Sequence, residues 1–73
     1  MEEKMKEIVF EVVQEADGGF SAEALGYDIF TQAESWEELR GNIKEATAGY
    51  FYDAPVSAMI RLHFSRSEVF ALA

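Results

Sequence analysis

His63 is the one histidine in the sequence, and imidazole is the side chain best suited to exchange protons near neutral pH. General acid–base catalysis also needs a group that fixes the ring and a substrate proton within reach. The surrounding stretch "MIRLHFSRSE" contains neither cysteine nor aspartate, so His63 reads as a surface or interface residue. Ser21, Ser35, Ser57, Ser65 and Ser67 lack the elbow motif that exposes a nucleophilic hydroxyl. Glu11 and Glu23 would offer a metal pair, or an acid and a base, if they faced each other across a hairpin. Like charges directly opposite are usually avoided, which argues against a site there. Asp17 and Asp28 are of the type that forms turns. No nucleophile, base and orienting partner can be assembled, so the expectation is a protein that is not an enzyme, with no cofactor and no metal.

Composition narrows the classes further. The absence of cysteine removes disulfides, thiolate zinc sites and thiol nucleophiles together, and fits a reducing cytoplasm. Asp and Glu number 14 against 6 Lys and Arg, for a net charge of -8. Phosphate backbones require the opposite sign, so direct nucleic-acid binding is not expected. An acidic surface steers a basic protein partner instead, although it also serves simple solubility. The start "MEEKMKEIVF" is acidic and without an apolar h-region, and no run approaches the ~20 apolar residues of a membrane span. A cytoplasmic protein that does not enter the membrane is expected.

Spacing sets the scaffold that would carry these side chains. From Glu7 to Gln14, Ile8, Phe10 and Val12 alternate with Val9, Glu11 and Val13, which predicts a strand apolar on both faces. "EADGGF" supplies Asp17, Gly18 and Gly19 for a hairpin connection. Phe20 to Leu25 and Ile29 to Ala33 predict two further strands, separated by the reversal "GYD". Ser35 with Glu38 forms the pattern of a capping box, in which the serine oxygen accepts an orphan amide and the glutamate reaches back to the cap. Trp36, Leu39, Ile43, Ala46 and Tyr50 then recur on one helical face, and Gly49 and Pro55 are expected to close the element. Gly41 costs about 1 kcal/mol relative to alanine inside a helix, and nothing in the pattern explains it.

Ala58, Ile60, Leu62 and Phe64 alternate with Met59, Arg61, His63 and Ser65 in a last, half-buried strand. Three meander strands and a helix place this strand parallel to the first if the two are neighbours, and the right-handed crossover rule favours the order 3-2-1-4. The expected architecture is one α+β domain over residues 1-73, a two-layer β3-α-β chain with a four-stranded mixed sheet and a helix on one face. One helix cannot cover both faces, so Val9, Val13, Phe30 and Met59 fall near an open face. The tail "SEVFALA", with Val69, Phe70 and Leu72, is too apolar to stand in water. It folds back over its own sheet or meets another chain. A homodimer through the open face or edge is expected, with Val9, Val13, Phe30, Met59, Phe70 and Leu72 as its interaction residues. Tyr27, Phe30, Trp36, Tyr50, Phe51 and Tyr52 read as core and core rim, or as a ligand cleft between helix and sheet edge.

The stretch "IVFEVVQEADGGFSAEALGYDIFTQAESWEELRGNIKEA", Ile8 to Ala46, resembles the N-terminal domain of HicB-like antitoxins. The shared features are a polar turn ending in Gly-Gly and an aromatic, a small-residue strand, a glycine-containing reversal, a strand ending near "TQA" and a helix opening Ser-x-Glu-Glu. "IRLHFSRSEVFALA" is similar to the ending of small stand-alone members of that superfamily. The resemblance implies a partial ribonuclease-H-like fold without ribonuclease chemistry, often dimeric or larger. Full antitoxins of this type add a DNA-binding segment, and none is expected within residues 1-73. The resemblance therefore implies a protein-interaction module that masks a small basic toxin-like protein. The alternative is a small-molecule binding module with its pocket at the helix rim or between subunits.

Overall fold

The computed structural model describes residues 6–53, 57–65 and 70–72. Strands β1 (Lys6–Gln14), β2 (Phe20–Ala24) and β3 (Phe30–Ala33) form a meander. Helix α1 (Trp36–Tyr50) and strand β4 (Ala58–Ser65) come next. The sheet order is β3-β2-β1-β4, with β1 antiparallel to β2 and parallel to β4. This is the α+β arrangement that the strand count and crossover rule require.

Alternation along the strands decides which face is buried. Ile8, Phe10 and Val12 of β1 are sealed from solvent and meet Ala22, Ala24 and Ala33 of the neighbouring strands. Leu39 and Ile43 close this core from α1. The small side chains of β2 and β3 let the helix approach, and α1 lies over those two strands. It does not come as close to β4, where Ala58, Ile60 and Leu62 remain half-buried on the same side. The helix-side surface of β4 is thus an open shelf.

The connections obey local rules. Gly18 at φ +96 and Gly26 at φ +85 occupy the left-handed region that favours glycine. Asp17 Oδ1 accepts the Gly19 amide at 3.0 Å, and the Glu15 amide donates to the Gly19 carbonyl at 2.7 Å, which closes the first hairpin. At the helix start Ser35 Oγ accepts the Glu38 amide at 3.2 Å. The reciprocal bond differs from the expected box: Glu38 Oε1 accepts the amide of Glu34, one residue before the cap.

Other boundaries also differ from expectation. β1 begins at Lys6, β2 ends at Ala24, and β3 begins at Phe30, with Ile29 buried in the preceding loop. Gly49 does not close the helix: α1 continues to Tyr50, and the Phe51 cap amide donates to the Thr47 carbonyl. A glycine stops a helix by adopting positive φ beyond its end, and Gly49 does not. The buried helix face is Leu39, Ile43 and Thr47, with Trp36 and Tyr50 at its ends 39% and 43% exposed. Pro55 and Val69 lie outside the described residues.

Phe70 and Leu72 are 81% and 101% exposed, so this part of the tail does not fold back on its own sheet. The radius of gyration is 14.8 Å, against about 11 Å for a compact chain of this length.

Candidate functional site

Residues of odd number along β1 project onto the uncovered face, and the register sets their neighbours in rows across the sheet. One row reads Phe30, Glu23, Glu11, His63 from edge to edge. His63 Nδ1 lies 2.9 Å from Glu11 Oε1, a contact that is an ion pair when the imidazole is protonated. Sequence spacing offered His63 no carboxylate partner; the parallel pairing of β1 with β4 supplies one. Glu23 does stand opposite Glu11, and the imidazole on the other side of β1 meets the Glu11 carboxylate. A second contact joins Arg61 Nη2 to Glu7 Oε2 at 2.9 Å. The Arg61 hydrogen bond, and then its charge, hold the Glu7 carboxyl below its usual range, and Glu7 raises Arg61 in return.

Val9, Val13, Phe30 and Met59 all lie on this face. The register puts them in four different rows, interleaved with Glu7, Glu11, Arg61 and His63. Phe30 is on one edge strand and Met59 on the other, so the four do not build one apolar patch. Phe70 and Leu72 follow β4 in the chain and are too exposed to be packed against them.

Two concave surfaces lie elsewhere. Glu15, Asp17, Glu34 and Glu38 line a groove of about 450 Å³ between the β1–β2 turn and the start of α1, with Gly19, Phe20 and Gln32 as part of its wall. Its carboxylates are held: Glu15 Oε1 accepts the Ser21 hydroxyl at 2.9 Å, and Asp17 and Glu38 accept the amides already described. The α1 N-terminus favours these acids locally, while their outward oxygens can receive Lys or Arg from another molecule.

The shelf beside β4 forms the second groove, of about 470 Å³, lined by Lys44, Thr47, Ala48, Phe51, Tyr52, Ala58 and Ile60. It continues into a smaller hollow of about 250 Å³ that adds Arg40, Ile43 and Leu62. Thr47 is 7% exposed, and its buried hydroxyl has no hydrogen-bond partner among the described residues. The aromatics do not form one cleft. Tyr27, Tyr50 and Phe51 meet edge to face at the end of α1, with Lys6 Nζ 5.4 Å from the Phe51 ring. Phe20, Trp36 and Phe64 meet at its start.

Among the described residues no group of three or more His, Asp or Glu is gathered to hold a metal ion. No helix there is long and apolar enough to cross a membrane. In sequence, the residues of the acidic groove read only as turn and cap positions, while Phe51 and Tyr52 of the second groove also read as part of a ligand cleft between helix and sheet edge. The acidic groove was detectable as "QEADGG" and "AESWEE" if their proximity had been known.

No family model matches the chain, and no solved structure does. Curated relatives do. Over 49 residues, 67% of this chain, it is 47% identical to a UPF0150 protein of Thermotoga maritima and covers 70% of that protein. It is equally identical over 49 residues to a UPF0150 protein of Archaeoglobus fulgidus, covering 73% of it. Identity at this level over most of each relative requires common descent and a common fold: the chain belongs to the UPF0150 family.

Proposed function

We propose that this chain is a HicB-like, non-enzymatic interaction module whose acidic groove masks a small basic protein, as an antitoxin masks a toxin. The observation that carries the reading is the groove of Glu15, Asp17, Glu34 and Glu38, a concave site of one charge sign on a molecule of net charge -8. Among the described residues, only Glu7 and Glu11 pair with a basic side chain. The resemblance of Ile8 to Ala46 to HicB-like domains supports it, and the order 3-2-1-4 is what a partial ribonuclease-H-like fold requires. His63 and Glu11 sit on an open sheet face, side chains 64% and 38% exposed, where water competes with any substrate. A cytoplasmic location goes with this reading.

The test is capture of partners by the tagged protein at low and rising salt, beside a Glu15→Lys/Glu34→Lys variant. A small basic protein is expected to bind, to elute as salt rises, and to lose at least about tenfold in affinity with the variant. Undiminished binding by the variant removes the acidic groove from the account. A second reading, a small-molecule site at the helix rim, is favoured by the α1/β4 groove. It calls for a metabolite that raises the melting temperature of the wild type and loses that effect in Ala48→Trp, which fills the groove.

A further inference from the structure

We infer that the α1/β4 groove is the receptor for the C-terminal tail of a second copy of this chain, Phe70 and Leu72 being the anchors, so that two copies exchange tails. This goes beyond the masking of a basic partner, since it uses a different surface.

Three observations converge on that occupant. First, the groove is apolar where it is deep, with Ile43, Phe51, Ala58, Ile60 and Leu62 as walls, and α1 leaves it uncovered because it lies over β2 and β3. Second, Phe70 and Leu72 are the most exposed large apolar side chains described, and a spacing of two puts both on one side of an extended segment. Third, the groove's rim bears Arg40 and Lys44, neither of which meets a carboxylate among the described residues, and the tail carries Glu68 two residues before its first anchor.

The chain's own tail is the poorer occupant. β4 ends at Ser65, and a return to Ala58 and Ile60 requires a reversal within the next few residues. The sequence there, Arg66, Ser67, Glu68, has no Gly, Asn, Asp or Pro, and Ser67, whose hydroxyl supports turns more weakly, is its one turn-forming type. β4 is also an edge strand, so a second copy can approach along its free side.

The chain has no cysteine, which makes a cross-linking test clean. Ala48→Cys protein is mixed with Ala71→Cys protein, in which both anchors are kept, under mild oxidation, and a disulfide-linked pair containing one of each is expected on a non-reducing gel. The double variant Ala48→Cys/Ala71→Cys should likewise link between molecules; linkage within one molecule, or no linkage, overturns the inference. Sedimentation gives the second readout. The wild type is expected to be a dimer at micromolar concentration. Phe70→Asp, at a position too exposed to affect folding, should raise the dissociation constant at least about a hundredfold. Val13→Lys, on the other sheet face, should leave the dimer intact. A monomeric wild type, a dimer that tolerates Phe70→Asp, or one broken by Val13→Lys instead would each overturn it. Phe70→Asp should keep its affinity for a basic partner, so failure here is separable from failure of the masking reading.

Discussion

Glu7 shows how one residue acquires a meaning that its own neighbourhood in sequence does not hold. Its partner Arg61 lies 54 positions away, and His63 lies 52 from Glu11. Only the parallel pairing of β1 with β4 makes these contacts, so the residue types were legible and the pairs were not. The Arg61 contact lowers the Glu7 pKa in the folded state relative to the unfolded one. A group with a depressed folded pKa contributes stability that is present above its unfolded value and is lost as pH falls through the folded value. The wild type should therefore melt slightly above Glu7→Gln near neutral pH, and the gap should close in acid. Thermal melts across that range test the pair; a gap that does not change with pH would assign the effect to packing. Both side chains are largely exposed, so the difference is small and shrinks further in salt.

At the scale of elements, helix α1 carries both a strong start and a weak middle. Ser35 caps it, and Ser35→Ala should cost about 1 kcal/mol of stability, read from the midpoint of chemical unfolding. Gly41 is exposed within the helix, and a Cβ built there meets nothing within 4 Å. Gly41→Ala should accordingly stabilise the fold by about 1 kcal/mol; a loss instead would mean that the backbone there is needed close to another molecule. The strands and the cap were readable because each rests on local spacing: alternation for β1, β2 and β4, and a serine three residues before a glutamate for α1. Gly49 misled because glycine is a stop signal only where the backbone turns left-handed, a choice made by the packing of the residues after it. Thr47 escaped notice because of its type. A threonine among "EATAGY" looks like the polar side of a helix, although its place four residues after Ile43 and eight after Leu39 puts it on their buried face. The shelf beside β4 was equally hidden, since the position of a helix over a sheet is set by side-chain volume on several strands at once. The alanines of β2 and β3 admit α1, and the larger Ile60, Leu62 and Phe64 of β4 are left beside it.

For the whole molecule, net charge separates the two proposed associations by the sign of one response. Two copies of charge -8 repel, so salt that screens them should favour the tail-exchanged dimer, whose anchors Phe70 and Leu72 are apolar. The same salt should weaken capture of a cationic protein by Glu15, Asp17, Glu34 and Glu38. Raising ionic strength from about 10 mM to about 150 mM shortens the screening length from ~30 Å to ~8 Å, below the 20 Å breadth of the molecule. Repulsion between the bodies of two copies is then largely removed, while contact between apolar groups is untouched. Sedimentation over that range should thus show the dimer tightening as the basic partner is released. If the dimer loosens as well, the pairing of Glu68 with Arg40 and Lys44 would outweigh both the anchors and the repulsion, and Glu68→Gln would become the decisive variant. If the dimer is indifferent to salt, that pairing and the repulsion balance, and Glu68→Gln should then restore tightening as salt rises.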